Sequence, residues 1–239
     1  ISWGSPPVLS IDVALLLQLP TPLRLLLLGR LRAALPNDKT AIVLLNMDVF
    51  GVIDFDRGTA AVDAVLRDSM VAGFALTGQM AMRISWREDP GFALAVGGFH
   101  PRFAAPTGFP KLPRLALTLS AGDKPRRRLE AYLAITSNTV QLGGRLDFGV
   151  RAGEFSLEGV FALDTLVHLA PFELSAALAA LLAVKQGAGV LMAGAVRVAL
   201  AGPAPWHVHA EASLQVAGLT LPPITINETF GEPRPLPLP

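Results

Sequence analysis

The sequence predicts an all-β protein: a long antiparallel meander of about a dozen strands forming a large sandwich, an open barrel or a trough with an apolar inner face. Three observations carry this prediction. Side-chain polarity alternates with period two over most of the chain, the breaks in the alternation are turn-formers, and 51% of the residues are hydrophobic while 16% are charged.

In chain order, looser alternation marks segments 9–19, 23–35, 41–56, 59–67, 71–86, 91–99, 114–120 and 127–136. The pattern then sharpens. Val140, Leu142, Leu146, Phe148 and Val150 alternate with Gln141, Arg145, Asp147 and Arg151, and Phe155, Leu157, Phe161 and Leu163 with Ser156, Glu158 and Asp164. Segments 189–201 and 219–227 flank the clearest case, in which Trp206, Val208, Ala210, Ala212, Leu214 and Val216 alternate with His207, His209, Glu211, Ser213 and Gln215. Successive side chains of a strand point to opposite faces, so each of these segments has one apolar face. Segment 172–185 has two readings. Phe172, Leu174, Leu178, Leu182 and Val184 suit a strand, whereas Leu174, Leu178, Leu181 and Leu182 share one helical face behind Pro171. Its strand-like neighbours and the Gly-rich turn after it tilt the balance to strand.

Pro20-Thr21-Pro22, Pro36-Asn37-Asp38-Lys39, Asp56-Arg57-Gly58, Glu88-Asp89-Pro90-Gly91 and Gln186-Gly187-Ala188-Gly189 are turn sequences. Turns this short join antiparallel neighbours. The one long irregular connection, His100–Pro113, is expected to fold over an end or an edge of the sheet as a lid or contact loop. Even turn spacing predicts one domain over residues 1–233, followed by a proline-rich linker or tail at 234–239. The opening Ile1 and the proline tail suggest a piece of a longer chain.

Strands of ten to fourteen residues are ~35–45 Å long. A barrel of about a dozen of them is wider than its own side chains can fill. The sheet is therefore expected to flatten into a sandwich, stay open as a trough, or enclose an apolar guest. Leu44, Leu146, Phe148, Phe161, Leu163 and Trp206 are the side chains expected to line that surface.

Composition removes several function classes. Twenty basic and 19 acidic residues leave a formal charge of +1, so a nucleic-acid partner is not expected. With no cysteine there is no disulfide, thiolate metal site or cysteine nucleophile, and redox chemistry does not indicate a compartment. The longest uncharged stretches, Ala212–Asn227 and Leu174–Val184, fall short of the roughly 18 to 20 residues of a membrane-spanning helix. The leucine-rich stretch Leu9–Leu35 is broken by Asp12, Pro20, Pro22, Arg24, Arg30 and Arg32, unlike a signal peptide. One tyrosine and three tryptophans are too few for the two aromatic girdles of an outer-membrane barrel. An integral membrane protein is accordingly not expected.

His207, His209 and Glu211 share a strand face at about 6–7 Å intervals. They are weak metal candidates that need a further ligand from a neighbouring strand; a solvated polar face is favoured. Asp54, Asp56, Asp63 and Asp68 lack the spacing of a calcium loop, and Lys124, Arg126, Arg127 and Arg128 form a basic turn without aromatic partners. Neither a nucleophile elbow nor a phosphate-binding loop is present. No cofactor and no catalytic residue is expected.

Six stretches mark a resemblance: Ile1-Ser2-Trp3-Gly4, Gly51 to Gly58 (GVIDFDRG), Gly97 to Phe103 (GGFHPRF), Tyr132 to Gly144 (YLAITSNTVQLGG), Gly202 to His207 (GPAPWH) and Thr229 to Pro233 (TFGEP). Together they resemble a family of large, mainly bacterial proteins classified only as a domain of unknown function, number 6603. The resemblance implies placement inside a longer β-rich chain and supplies no mechanism. The expected function is a non-enzymatic structural or interaction module of a larger bacterial protein, with other segments of that chain or other proteins as partners. The alternative is a trough that carries lipid or another apolar small molecule, and a metal-dependent enzyme ranks last. Trp206, Phe148, Phe161 and Leu163 are expected to point into a continuous apolar interior while Arg145, Glu158, His209 and Glu211 face solvent, so Phe161→Ala is expected to lower stability by roughly 3–5 kcal/mol while Glu158→Ala stays within about 0.5 kcal/mol, read as denaturant midpoints.

Overall fold

The computed structural model describes residues 2–4, 8–37, 40–120, 126–203 and 205–232, and the predicted proline tail at 234–239 lies outside them. Among the described residues every regular element is a strand and every pairing an antiparallel one. The chain forms two compact units, Ile1–Leu119 with Glu130–Ser137, and Ser120–Leu129 with Asn138–Pro239. The division falls at 119/120, within the strand Arg126–Thr136 at 129/130, and at 137/138.

The first unit begins with β1 (Ser2–Trp3), β2 (Leu9–Gln18), β3 (Arg24–Leu35), β4 (Val43–Asp54) and β5 (Thr59–Leu66). β2 to β5 pair in sequence as hairpins. β6 (Ser69–Val71), β7 (Phe74–Thr77), β8 (Gln79–Ser85), β9 (Gly91–Val96), β10 (Leu115–Ser120) and β11 (Arg126–Thr136) follow. β4 pairs with both β5 and β6, β5 continues through β8 and β9 to β11, and β6 continues through β7 to β10 beside β11. The result is a ring of eight strands. Segment 71–86, which reads as one strand, is divided at Ala72-Gly73. Both residues have positive φ, 51° and 80°, as the tight hairpin turn from β6 to β7 requires.

One face of β8, β9 and β11 is built from alanine. Ala81 and Ala134 stand opposite Ala95, and all three are 0% exposed. Methyl groups leave room for chain to pack directly on the sheet, and the connection from β9 to β10 occupies that room. Phe99 packs on Phe103 and Phe109 with centroids 5.3 and 4.8 Å apart, and the Arg83 guanidinium lies 5.7 Å from the Phe109 ring. Arg114 stacks 3.9 Å over Tyr132 and donates from Nη1 to the Gly97 and Phe99 carbonyls, each at 2.9 Å. The predicted lid over an end or edge is thus a fixed cover over a face.

The second unit is a simpler meander of β12 (Thr139–Ala152), β13 (Phe155–Leu169), β14 (Phe172–Gln186), β15 (Gly189–Gly202) and β16 (Trp206–Val216), with β17 (Leu219–Thr220) and β18 (Ile224–Phe230) both against β16. The ambiguous segment 172–185 is strand β14. Its neighbours decide it: β13 and β15 pair along almost its whole length, satisfying backbone groups on both edges. Asn138 anchors the turn between β13 and β14, its Oδ1 accepting from Ala170 N at 2.7 Å and its Nδ2 donating to Ala170 O at 2.8 Å.

Gly97 is where the backbone tolerates least change. A Cβ there would lie 2.5 Å from Ala131 O and 2.7 Å from Leu115 N, both main-chain atoms, and φ is +71°. Gly73 has φ +80° but open space around it. Gly97→Ala is expected to lower stability by about 2–4 kcal/mol and Gly73→Ala by only about 1 kcal/mol, read as urea midpoints.

Candidate functional site

Register makes the alternation of separate strands into one surface. Leu146 stands opposite Phe161, Phe161 opposite Ala180, Ala180 opposite Val196, Val196 opposite Ala212 and Ala212 opposite Ile224. A parallel row runs Gly144, Leu163, Leu178, Val198, Ala210, Ile226. Directly paired residues share a face, so an apolar surface crosses the second unit from β12 to β18. The opposite face carries Arg145, Asp147, Glu158, Lys185, Arg197 and Glu211. Its ion pairs are Arg145 Nε to Asp147 Oδ2 at 2.8 Å, Lys185 Nζ to Glu158 Oε2 at 2.6 Å and Arg197 Nη1 to Glu211 Oε2 at 3.9 Å.

The apolar surface is open. Phe161 is 42% exposed, Leu178 45% and Ile226 49%. The closed interior predicted from the alternation is therefore absent around these residues in the second unit. The faces are assigned as expected, but this face has no second layer over it among the unit's described residues.

Leu146, Phe148, Phe161 and Leu163 all lie on the apolar face, Phe148 opposite Gly159 with its ring over that glycine and 6.1 Å from Phe161. Trp206 begins β16 on the same face, its ring over Gly202 and its Cα partner Phe230. Leu44 is different. It belongs to the first unit and stands opposite Ala34 and Met70, on the face of Asn46 and Asp48, whereas Leu45 and Met47 supply the apolar face of β4. Two consecutive leucines open that strand, so polarity there could not fix which one points to which side. The sequence marks Leu178 and Leu214 only for their alternation and not as lining residues, and Val196 and Ile226 fall in loosely alternating segments. Only register shows that they continue the surface.

The polar candidates have separate partners. His207 Nδ1 is hydrogen-bonded to Thr229 Oγ1 at 3.1 Å, His209 Nδ1 donates to Asn227 Oδ1 at 2.5 Å, and Glu211 faces Arg197. Among the described residues no group of three or more histidines and carboxylates is placed to hold a metal ion. The aspartates of the β4–β5 hairpin are likewise engaged. Asp56 Oδ2 accepts from Leu23 N at 2.9 Å, and Asp63 takes both Nη atoms of Arg83 at 2.8 and 3.1 Å. Buried Asp54 accepts from Arg57 N at 2.9 Å and from Arg24 Nε at 2.8 Å. Of the basic turn, Arg127 and Arg128 lie in the exposed start of β11, and Lys124 lies outside the described residues. Two cavities in the second unit, of about 310 and 230 Å³, are lined mainly from the polar face, by His168, Glu173, Ser175 and His207 in the larger and by His209, Asn227 and Thr229 in the smaller.

The whole chain, residues 1–239, matches one protein family, described as a family of unknown function (DUF6603). The chain belongs to the DUF6603 family. No curated protein and no solved structure matches it. Among the described residues no helix is long and apolar enough to cross a membrane.

Two outcomes follow from this geometry. With Phe161 only partly covered, Phe161→Ala is expected to lower stability by about 1–2 kcal/mol, below the roughly 3–5 kcal/mol of a closed core, and urea titration distinguishes the two. The Arg57 amide and then the Arg24 guanidinium hold the Asp54 carboxyl below its ordinary range. Its contribution to stability is complete above the unfolded-chain value of about 3.9 and disappears as pH falls through the lower folded value. The gap in urea midpoint between wild type and Asp54→Asn is accordingly expected to narrow below about pH 4.

Proposed function

We propose that this DUF6603 chain is a non-enzymatic interaction module, in which the apolar face of the β12–β18 sheet docks against a matching apolar surface while the opposite face stays in water. One observation carries the reading: an apolar surface continuous over six strands with large side chains 40–50% exposed, among them Phe161, Leu163, Leu178, Val196 and Leu214. A sheet with one apolar face lowers its free energy by burying that face against another layer. Patches well beyond a few hundred Å² on soluble proteins mark places where something binds. The engagement of the carboxylates and histidines in local pairs supports a scaffold role for the polar face.

A second reading keeps the same face and changes the occupant to lipid. It is favoured by the near absence of charge along the surface, where Glu228, opposite Val208 at the outer strand, is the exception.

A solvatochromic dye added to the protein below about 1 μM is expected to bind and shift its emission, because a native-state ligand site responds by mass action. Leu163→Glu and Leu178→Glu, adjacent on the face, are expected to abolish the signal, and Ala179→Glu, on the other face, to leave it unchanged. Dye binding that survives both face substitutions would sink the proposal.

A further inference from the structure

We infer that the occupant of this face is a second copy of the chain, the two β12–β18 sheets packing face to face about a two-fold axis. The inference rests on the reading of the face as a docking surface and names its partner. Three features of the molecule lead to it.

The first is area. Half-exposed large side chains each present roughly 80–100 Å², so the face offers on the order of 1,000 Å² of apolar surface. The largest patch on a typical monomer is about 300–600 Å², and a stable protein–protein interface needs about 800 Å² from each partner. An identical face of equal extent covers it completely. Two cavities of this unit, by contrast, are lined mainly from the polar side.

The second is relief. Along the row Leu146, Phe161, Ala180, Val196, Ala212, Ile224, the alanines at 180 and 212 interrupt the large side chains, and in the row below Phe148 lies over Gly159. Projections next to depressions let two sheets interdigitate at about 10 Å, with their strands roughly 30° apart. A two-fold axis along the strands reverses this row against its own copy, so Phe161 meets Ala212 and Ala180 meets Val196, while Leu146 and Ile224 meet at the rim.

The third is charge. The formal net charge of the chain is +1, and the ion pairs of this unit sit on the far face with Glu228 at the outer strand the one charge on the apolar side, so bringing two copies together costs little electrostatically.

The chain has no cysteine, which makes single-cysteine variants of the full chain a clean test. Ala180 and Ala176 lie on the apolar face near the middle of the sheet, Ala179 and Ala177 on the polar face. A bismaleimide that spans about 10 Å is expected to link Ala180→Cys or Ala176→Cys into a covalent dimer and to leave the other two uncrosslinked. Light scattering is expected to show the mass doubling between about 1 and 100 μM, with dye binding falling over the same range as the face becomes covered. Leu178→Glu is expected to raise the dimer dissociation constant at least ~100-fold, since each substitution acts twice across the axis. The alanine-to-cysteine variants keep the test decisive even if Leu178→Glu does not fold. A protein that stays monomeric at 100 μM yet binds dye overturns the second copy and leaves the docking face standing. Monomer without dye binding overturns both. Dimers crosslinked through Ala179→Cys, or through the outer strand by Ile226→Cys alone, overturn face-to-face packing in favour of another contact.

Discussion

Antiparallel register is the constraint on which the rest of the second unit depends. Fourteen consecutive pairs join β12 to β13 without a shift, and fifteen join β13 to β14. Because side chains alternate, a slip of one residue in any of these ladders would move an entire apolar row to the charged side. The ion pairs of the polar face oppose such a slip. Each is exposed and contributes at most about 1 kcal/mol to stability. Their larger effect is on specificity, since a shifted Lys185 or Glu158 would leave its partner and enter the apolar surface.

The two units solve the covering of a sheet face differently. In the first, small side chains let a connection lie directly on β8, β9 and β11, and Arg83 and Arg114 close over its aromatic rings and Tyr132. Glycine at position 97 lets the chain leave the sheet close to the backbone of β10 and β11. In the second unit the connections between successive strands are short, and none among the described residues supplies a second layer over the apolar face. Leucine, phenylalanine and valine therefore stand open along β12 to β18. The same alternation thus yields a face covered by a connection in β8, β9 and β11 and an open one in β12 to β18.

This contrast also separates structural from functional polarity. Asp54, Asp63, Arg24 and Arg83 pair within the first unit, and His207, His209 and Glu211 pair one by one across neighbouring strands in the second. The proposed function therefore rests on a surface and not on a constellation of reactive groups.

Alternation and turn chemistry in the sequence alone determined the fold class, most strand positions, and the apolar side of β12, β13 and β16, since local polarity with period two needs no distant partner to be read. The same reasoning put Trp206, Phe148, Phe161 and Leu163 on one side with Glu158 and His209 on the other. Tertiary structure decided the remainder. Segment 172–185 became strand because β13 and β15 occupy both its edges, Leu44 turned away from Leu45 because the pairing with β3 and β6 set its parity, and the β9–β10 connection chose a face because alanine left space there. Whether the long apolar face would be covered was likewise not legible in the sequence. Period two specifies which side of a strand is apolar, while what lies against that side depends on which segments the chain brings together in space.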